Sequence, residues 1–549
     1  MKKLKYTLLS VVVILFISVA AIAPNSKYFE IAKNLDIFAT LFKEVNAYYV
    51  DEVDPDKLIK TGIDAMLYSL DPYTNYIPEE EIESFRTMTT GQYAGIGAYI
   101  GKINGQNIVT MPYEGFPAHQ AGLKIGDELL SVDGVNIEGF DISQISSLLK
   151  GQAKTKVIVT IQRYGEPEPL QIEIQRQKIT VDNVPYFGII GSNVGYIKLE
   201  DFTTNAGKEV ESALNSLKKQ GAESIILDVR DNPGGLLSEA VNVSNIFISK
   251  GKEVVSTKGK VDEWNKKYKT LNTPVDVKIP LVVMANAGSA SASEIVSGVM
   301  QDYDRGVLVG SKTFGKGLVQ TTRPLTYNSQ LKVTTAKYYI PSGRCIQAID
   351  YKNRNEDGSV DKFADSLKNE YTTKNGRKVF DGEGLSPDIE VPEPNLAPIT
   401  TTLITKGLIF NFATYYNSIK SSISNPTTYN VSDEDYNMFR SWLKGKDYDY
   451  TTDVEKSLQE LSSSAKEEKY YADIENQLLL LQKSITHSKE QDLITFKDEI
   501  SQFLKQEIVS RYYLEKGRIQ STLDDDTQLL KAVEILQNQD LYREILNSN

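Results

Sequence analysis

Leu281-Val282-Val283-Met284-Ala285-Asn286-Ala287-Gly288-Ser289-Ala290-Ser291-Ala292-Ser293-Glu294-Ile295 opens with five apolar residues and breaks into a run of small ones. A short, unbroken apolar run bounded by a turn is the pattern of a strand buried on both faces. Ile295, Val296 and Val299 then continue at helical spacing. The same order occurs upstream. Ser224-Ile225-Ile226-Leu227-Asp228-Val229-Arg230 reads as a buried strand ending at a turn, and Leu237 to Ile248 as the helix after it. Strand-like runs alternating with helical ones predict α/β architecture for residues 179–395.

The flanking segments differ in texture. Residues 89–178 carry Gly-rich turns and short β-type runs such as Val157 to Ile161 and Leu170 to Ile174. Residues 25–88 look helical, with Phe38, Leu41, Phe42, Val45 and Tyr49 on one face, and include the turn-rich stretch Ser69 to Pro78. All 19 prolines lie at or before Pro426, and beyond it the only glycines are Gly445 and Gly517. Apolar residues recur there at helical spacing, as in Ile474, Leu478, Leu481, Ile485 and then Leu493, Phe496, Ile500, Phe503. The expectation for residues 396–549 is a solvated helical appendage that packs on the rest, entered through the proline-rich linker 391–398. At about 150 residues per domain, 549 residues allow three or four domains.

Composition narrows the chemistry. Lys plus Arg is 61 and Asp plus Glu is 73, a net charge of −12, so no basic face for nucleic acid is expected. With two His and one Cys, a zinc site of His and Cys ligands and an internal disulfide are both excluded, and no metal or cofactor is expected. At the N-terminus, Lys2, Lys3 and Lys5 precede an uncharged, mostly apolar run of 16 residues, Leu8 to Ala23. Residues 1–23 therefore read as an export segment, with cleavage after Ala21-Ile22-Ala23 and retention as an anchor both open, since Pro24 would follow the cut.

The turn 286–294 can expose a serine hydroxyl and aim N–H groups of the following helix at an oxyanion. Three alternating serines also suit helix capping, and both readings stand at this point. Two further segments bear on it. Residues 228–235, DVRDNPGG, form a tight turn whose N–H groups can face developing negative charge. Residues 313–320, TFGKGLVQ, set Lys316 between two glycines ahead of a strand-like run, with Gln320 four residues on and expected on the same face. His119 and His487 are the only histidines, so a lysine is the natural base for a serine. Free lysine, with a pKa of about 10.4, is disfavoured as the neutral base at pH 7 by roughly 4.6 kcal/mol. Burial among apolar residues such as Phe314, Leu318 and Val319 is large enough in effect to offset that. An SxxK at Ser147 to Lys150 has no SDN and no KTG after it, no G-x-S-x-G is present, and Cys345 reads as structural.

Residues 94–101, AGIGAYIG, followed by 117–134, PAHQAGLKIGDELLSVDG, resemble a PDZ domain. That resemblance implies that Gly95, Ile96, Gly97 and Ala98 contact a peptide whose terminal carboxylate sits in the loop. The set DVRDNPGG, NAGSASASEI and KTFGKGLVQ, with SLDPYTNYI before it, resembles the carboxyl-terminal processing peptidases, also called tail-specific proteases or peptidase family S41. The match covers roughly residues 35–395 and implies a ClpP/crotonase-like α/β protease core, with the PDZ domain before it and a helical C-terminal region after it. It also implies Ser291 as nucleophile, Lys316 as base, Gln320 as the residue orienting that lysine, and Gly235 and Ala292 as oxyanion donors. Without it, Ser289, Ser291 and Ser293 could not be told apart.

One departure is Lys150, where family members often carry an arginine linked to substrate-gated activation; lysine lacks the planar fork. The implied function is an exported bacterial serine endopeptidase, periplasmic or anchored to the inner membrane facing the periplasm. It would cleave protein or peptide substrates with apolar C-terminal tails, without a cofactor. Membrane attachment through the N-terminus and a homo-oligomeric or adaptor partner are compatible with it. The rival expectations are a non-catalytic peptide-binding adaptor and a structural or lipid-binding relative on the same fold.

Overall fold

A computed structural model describes residues 26–355, 359–485 and 489–547. The export segment 1–23 and His487 lie outside the described residues, among which no helix is long and apolar enough to cross a membrane. The chain divides into compact units at residues 1–76 and 77–549. The first holds helices α1 (Ser26–Tyr48) and α2 (Pro55–Tyr68). Asp54 caps α2 by accepting the Asp56 and Lys57 N–H groups, with Pro55 pre-set at its first position. In the following turn the Asp71 carboxylate accepts the N–H groups of Tyr73 and Thr74.

The second unit begins with α3 (Ile82–Thr90). A small β domain follows: β1 (Gln92–Gly95), β2 (Ala98–Ile103), β3 (Gln106–Pro112), α4 (Pro117–Gln120), β4 (Glu128–Val132), α5 (Ile142–Leu149), β5 (Lys156–Gln162), β6 (Leu170–Gln175) and β7 (Gln177–Thr180). Its main sheet runs β2-β3-β4-β5-β6, all antiparallel, while β1 pairs with β7. Strand β2 is therefore an edge, and α5 packs beside it.

The α/β core contains β8 (Tyr186–Ile190), β9 (Val194–Lys198), α6 (Ala206–Lys219), β10 (Ser224–Asp228), α7 (Leu237–Phe247), β11 (Glu253–Gly259), β12 (Lys266–Lys269), β13 (Leu281–Ala285), α8 (Ala292–Asp302), β14 (Val307–Gly310), β15 (Leu318–Pro324), β16 (Gln330–Tyr339) and β17 (Ile389–Glu390). One sheet runs β8-β9-β10-β13-β14-β17, parallel except for β8. In a second, β15, β16, β11 and β12 are joined antiparallel.

The parallel strands show why their sequences are unbroken apolar runs. Ile225, Leu227, Leu281, Val283 and Leu308 face one core with α6, α7 and α8. Their neighbours Ile226, Val282, Met284, Val307 and Val309 face the other side. Successive side chains alternate between faces, so both faces need cover.

The second cover comes from the far end of the chain. After α9 (Pro398–Thr405), α10 (Leu408–Ile419), α11 (Asp433–Trp442), α12 (Asp453–Glu467), α13 (Tyr471–Ile485) and α14 (Lys489–Thr495) come the long α15 (Lys497–Thr522), α16 (Thr527–Gln537) and α17 (Gln539–Asn547). Helices α9, α10, α11, α14 and the first half of α15 enclose their own core around Phe412, Tyr416 and Phe439. At Leu514 the backbone of α15 leaves helical geometry (φ 52°, ψ −153°). Beyond that kink Ile519 and Leu523 join Leu529, Ala532, Ile535 and Leu536 against the second face of the parallel sheet. The tail is thus more than a solvated appendage, because its last helices are a layer of the core. The linker before it is also held down: Gln528 donates to the Val391 carbonyl, and the Ala397 N–H donates to Glu499. Leu529→Ala, at a fully buried position, should cost about 2–5 kcal/mol in urea unfolding. Leu480→Ala, at a position 67% exposed, should stay within about 0.5 kcal/mol.

Candidate active site

The turn between β13 and α8 separates its three serines. Ser289 Oγ donates to the Val229 carbonyl (2.7 Å) and Ser293 Oγ to the Asn232 carbonyl (2.8 Å), and both residues are fully buried. Ser291 alone of the three lines the large cavity of the unit. Its backbone is strained, at φ 55° and ψ −109°, a conformation that non-glycine residues rarely adopt. Ser291 sits in this conformation at the N-cap of α8, where it lines the cavity that Ser289 and Ser293 do not.

The 228–235 turn is packed against it. Ala290 N–H donates to the Asn232 carbonyl at 3.0 Å. A Cβ on Gly234 would lie 2.6 Å from the Ala290 oxygen and 2.8 Å from the Ala292 nitrogen, so only glycine fits there. Gly234 N–H is used by Asn232 Oδ1. Phe202 exchanges bonds with the Gly234 carbonyl and the Leu236 N–H on either side of Gly235. The N–H groups of Gly235 and Ala292 donate to no protein acceptor among the described residues, and both residues line the cavity beside Ser291. Two unspent donors next to a strained serine are what an oxyanion needs.

Lys316 reaches the same cavity from the loop before β15. A Cβ on Gly315 would lie 2.3 Å from the Ala348 Cβ, so the loop is pressed tightly onto its support. Two buried groups lock it to the serine turn. The Glu294 carboxylate accepts Ser291 N–H (2.8 Å) and Lys316 N–H (2.9 Å) on one oxygen, and Gly315 N–H (2.8 Å) and Thr313 Oγ1 (2.6 Å) on the other. On the opposite side, the Tyr338 hydroxyl lies within hydrogen-bond reach of the Lys316 and Ser291 carbonyl oxygens. Gln320 lines the cavity from β15 and donates to Thr334 Oγ1 at 3.1 Å. A bulge between Val319 and Gln320 breaks the strand alternation, and Lys316 precedes the strand, so simple i+4 spacing does not relate the two.

The cavity, about 830 Å³, extends to the β domain. Ile96 lines it from the loop after β1, Ala98 and Ile100 from β2, and Ile142 and Leu149 from α5. The carbonyls of Ile96 and Gly97 accept Ala118 and Tyr113 N–H groups; the Gly97 N–H donates to the Tyr93 hydroxyl, while the Ile96 N–H finds no protein acceptor among the described residues. Gly95 ends β1 immediately before them. Lys150 Nζ sits 5.5 Å from the centre of the Tyr93 ring, and burial lowers its pKa. Arg176 fixes the end of α5 by donating to the Leu148 and Leu149 carbonyls. His119, on α4, accepts Gly115 N–H and takes no part in this arrangement.

Behind the 228–235 turn, Arg230 pairs with the fully buried Asp228 (2.7 Å) and with Asp526 (2.6 Å), which caps α16. Burial alone would raise the Asp228 carboxyl, but Arg230 and Lys198 outweigh it and hold the group below the usual range. Sequence reasoning did not single out Glu294, Tyr338 or Asp526. Only Glu294 had a local signal, as the fourth residue of a Ser-x-x-Glu capping box.

Burial pushes the Glu294 carboxyl from 4.5 up to about 7, against the pull of its four donors. The folded state then holds that proton more tightly than the unfolded chain does. The group's contribution to stability is complete below about pH 4.5 and is lost as pH rises through about 7. Relative to Glu294→Gln, the wild type should lose on the order of 3 kcal/mol between those limits, read by urea unfolding at a series of pH values. A difference that does not vary with pH would show that Glu294 is not the titrating group.

Three family profiles match in succession: "PDZ domain" at residues 108–163, "Peptidase family S41" at 193–353, and "Probable PDZ-protease, C-terminal helical domain" at 399–536. The chain is 37% identical over 321 residues to a carboxy-terminal-processing protease of Bartonella bacilliformis, covering 58% of this chain and 73% of that protein. It is 39% identical over 322 residues to a probable CtpA-like serine protease of Staphylococcus aureus, covering 58% of this chain and 64% of that protein. Among solved structures, the photosystem II D1 C-terminal processing protease is 28% identical, with a TM-score of 0.35 and coverage of 65% of this chain and 92% of that one.

Proposed function

Given that the chain belongs to the carboxy-terminal-processing serine proteases of peptidase family S41, with a PDZ domain, we propose that it is an endopeptidase working through a Ser291/Lys316 dyad. The observation that carries this reading is that Ser291, alone among the three serines of its turn, shares a cavity with Lys316 and with the unspent N–H groups of Gly235 and Ala292. Ser291 Oγ attacks the scissile carbonyl while neutral Lys316 Nζ takes its proton. The Gly235 and Ala292 N–H groups hold the oxyanion, each donor worth about 3–4 kcal/mol to the transition state. Lys316 returns the proton to the departing amine, and water releases the acyl group. Gln320, on the cavity wall, orients the lysine.

Substrate capture falls to residues 95–98. The unspent Ile96 N–H suits a terminal carboxylate, beside the Gly97 N–H that the Tyr93 hydroxyl accepts, and the free edge of β2 suits an added strand from the bound peptide. The walls formed by Ile96, Ala98, Ile100 and Leu149 favour an apolar tail. Export, with the catalytic region outside the bacterial inner membrane, is supported by the three lysines and apolar run of residues 1–23.

On a peptide with an apolar C-terminus, Ser291→Ala and Lys316→Ala should each lower kcat by about 10³-fold or more. Both variants should still bind the tail in a fluorescence anisotropy titration. Equal turnover by wild type and Ser291→Ala, including none by either, would sink the proposal.

A further inference from the structure

Asp201 stands on the cavity wall between the 228–235 turn and the PDZ domain, and has no part in the proposed reaction. Its backbone position is fixed by its neighbour. Phe202 N–H donates to the Gly234 carbonyl (3.1 Å) and the Phe202 carbonyl accepts Leu236 N–H (2.8 Å), bracketing Gly235. From the PDZ side, Tyr99 and Tyr113 stack edge to face with ring centres 4.9 Å apart. Beyond the effect of burial, Asp201 is among the charges that raise both of their hydroxyl pKa values, which places its carboxyl near that pair.

The nearby cations are engaged elsewhere. Lys198 donates to the Arg230 carbonyl and pairs with Asp228, Arg518 pairs with Glu515, and Lys150 lies over Tyr93 with Glu83 as its acidic neighbour. Asp201 itself makes no ion pair or side-chain hydrogen bond among the described residues. Burial, with no cation to oppose it, raises its carboxyl to about 6, so at neutral pH it is mostly ionised.

An ionised, half-buried carboxylate without a partner is costly to cover. A peptide threaded from the PDZ groove to Ser291 covers this wall and removes more water from it. A neutral substrate side chain opposite Asp201 leaves the charge unpaired, and an acidic one adds repulsion. A lysine or arginine supplies a charge-assisted hydrogen bond. The difference between these cases is specificity, achieved by attraction and by penalty together.

We propose that Asp201 is a specificity determinant that selects a lysine or arginine side chain of the substrate within a few residues of the scissile bond. The proposal rests on the peptidase reading of the site and adds a second requirement to the apolar tail.

The test is a set of peptides sharing one apolar C-terminal tail, in which Lys, Gln or Glu is walked through successive positions. At one or two adjacent positions wild type should show kcat/KM for Lys about tenfold above Gln, and for Glu below both. The Lys/Gln ratio should fall to near one in Asp201→Asn and in Asp201→Ser, whatever either change does to the absolute rates. A wild-type enzyme that cleaves the Lys, Gln and Glu peptides equally at every position overturns this proposal and leaves the peptidase reading intact. So does a preference for Lys that survives both substitutions. Failure of wild type to cleave any peptide overturns the peptidase reading and this proposal with it.

Discussion

The buried Glu294 carboxylate joins two segments that are far apart in the chain and must meet within a hydrogen-bond length. It takes one N–H from the residue that carries the serine hydroxyl and two from the loop that carries the lysine. Tyr338 does the matching work on the carbonyl side. Backbone groups on both sides of Ser291 and Lys316 are thus satisfied by side chains that are themselves buried, and satisfied buried networks are rigid. A geometry of this kind has to exist before substrate arrives, because donors that must reorganise during the reaction lose their advantage.

The same pinning extends outward to the end of the chain. The 228–235 turn is anchored through Arg230, which reaches Asp228 on the sheet and Asp526 at the cap of α16. Helix α16 is itself held by the apolar second face of the parallel sheet. The kink at Leu514 lets one long helix serve two cores, with Ile508 and Val509 in the helical one and Ile519 and Leu523 in the sheet-covering one. The C-terminal helices therefore reach the 228–235 turn through the ion-paired Arg230 as well as supporting the sheet behind it.

How far the sequence discloses this follows from how local each signal is. The strands 224–228 and 281–285 are readable because burial on both faces leaves an unbroken apolar run in each, Ile225 to Leu227 and Leu281 to Ala285. The serine turn, the Asn-Pro-Gly-Gly turn and the Gly-Lys-Gly loop are readable because close backbone approaches demand small residues in a row. The choice of Ser291 among three serines required resemblance at the sequence level, whereas in three dimensions Ser289 and Ser293 are spent on carbonyls from the neighbouring turn. The Ile474 to Ile485 stripe does form a helix, yet only Leu478 is buried in it, while Leu481 is 50% exposed. Periodicity marks a helix but does not say whether a partner waits on its apolar side. Tyr338 and Asp526 lie 22 and 296 residues from the groups they bind, at Lys316 and Arg230, and no local pattern encodes such contacts.

The continuity of the cavity sets the order of events in the proposed reaction. A tail held at residues 95–98 tethers the rest of the substrate beside Ser291, so the second encounter becomes intramolecular and its effective concentration replaces the bulk one. Affinity for the tail then governs which chains arrive, and it does so without distinguishing where they are cut. The cut site must be chosen by groups on the wall between the two sites. Asp201 is the one carboxylate on that wall among the described residues and has no ion-pair partner there, while the lysines of the wall are the proposed base, lie over an aromatic ring or have contacts of their own. A site that reads an apolar terminus and then a cation near the bond to be broken needs no tight grip on either, because the two modest preferences multiply.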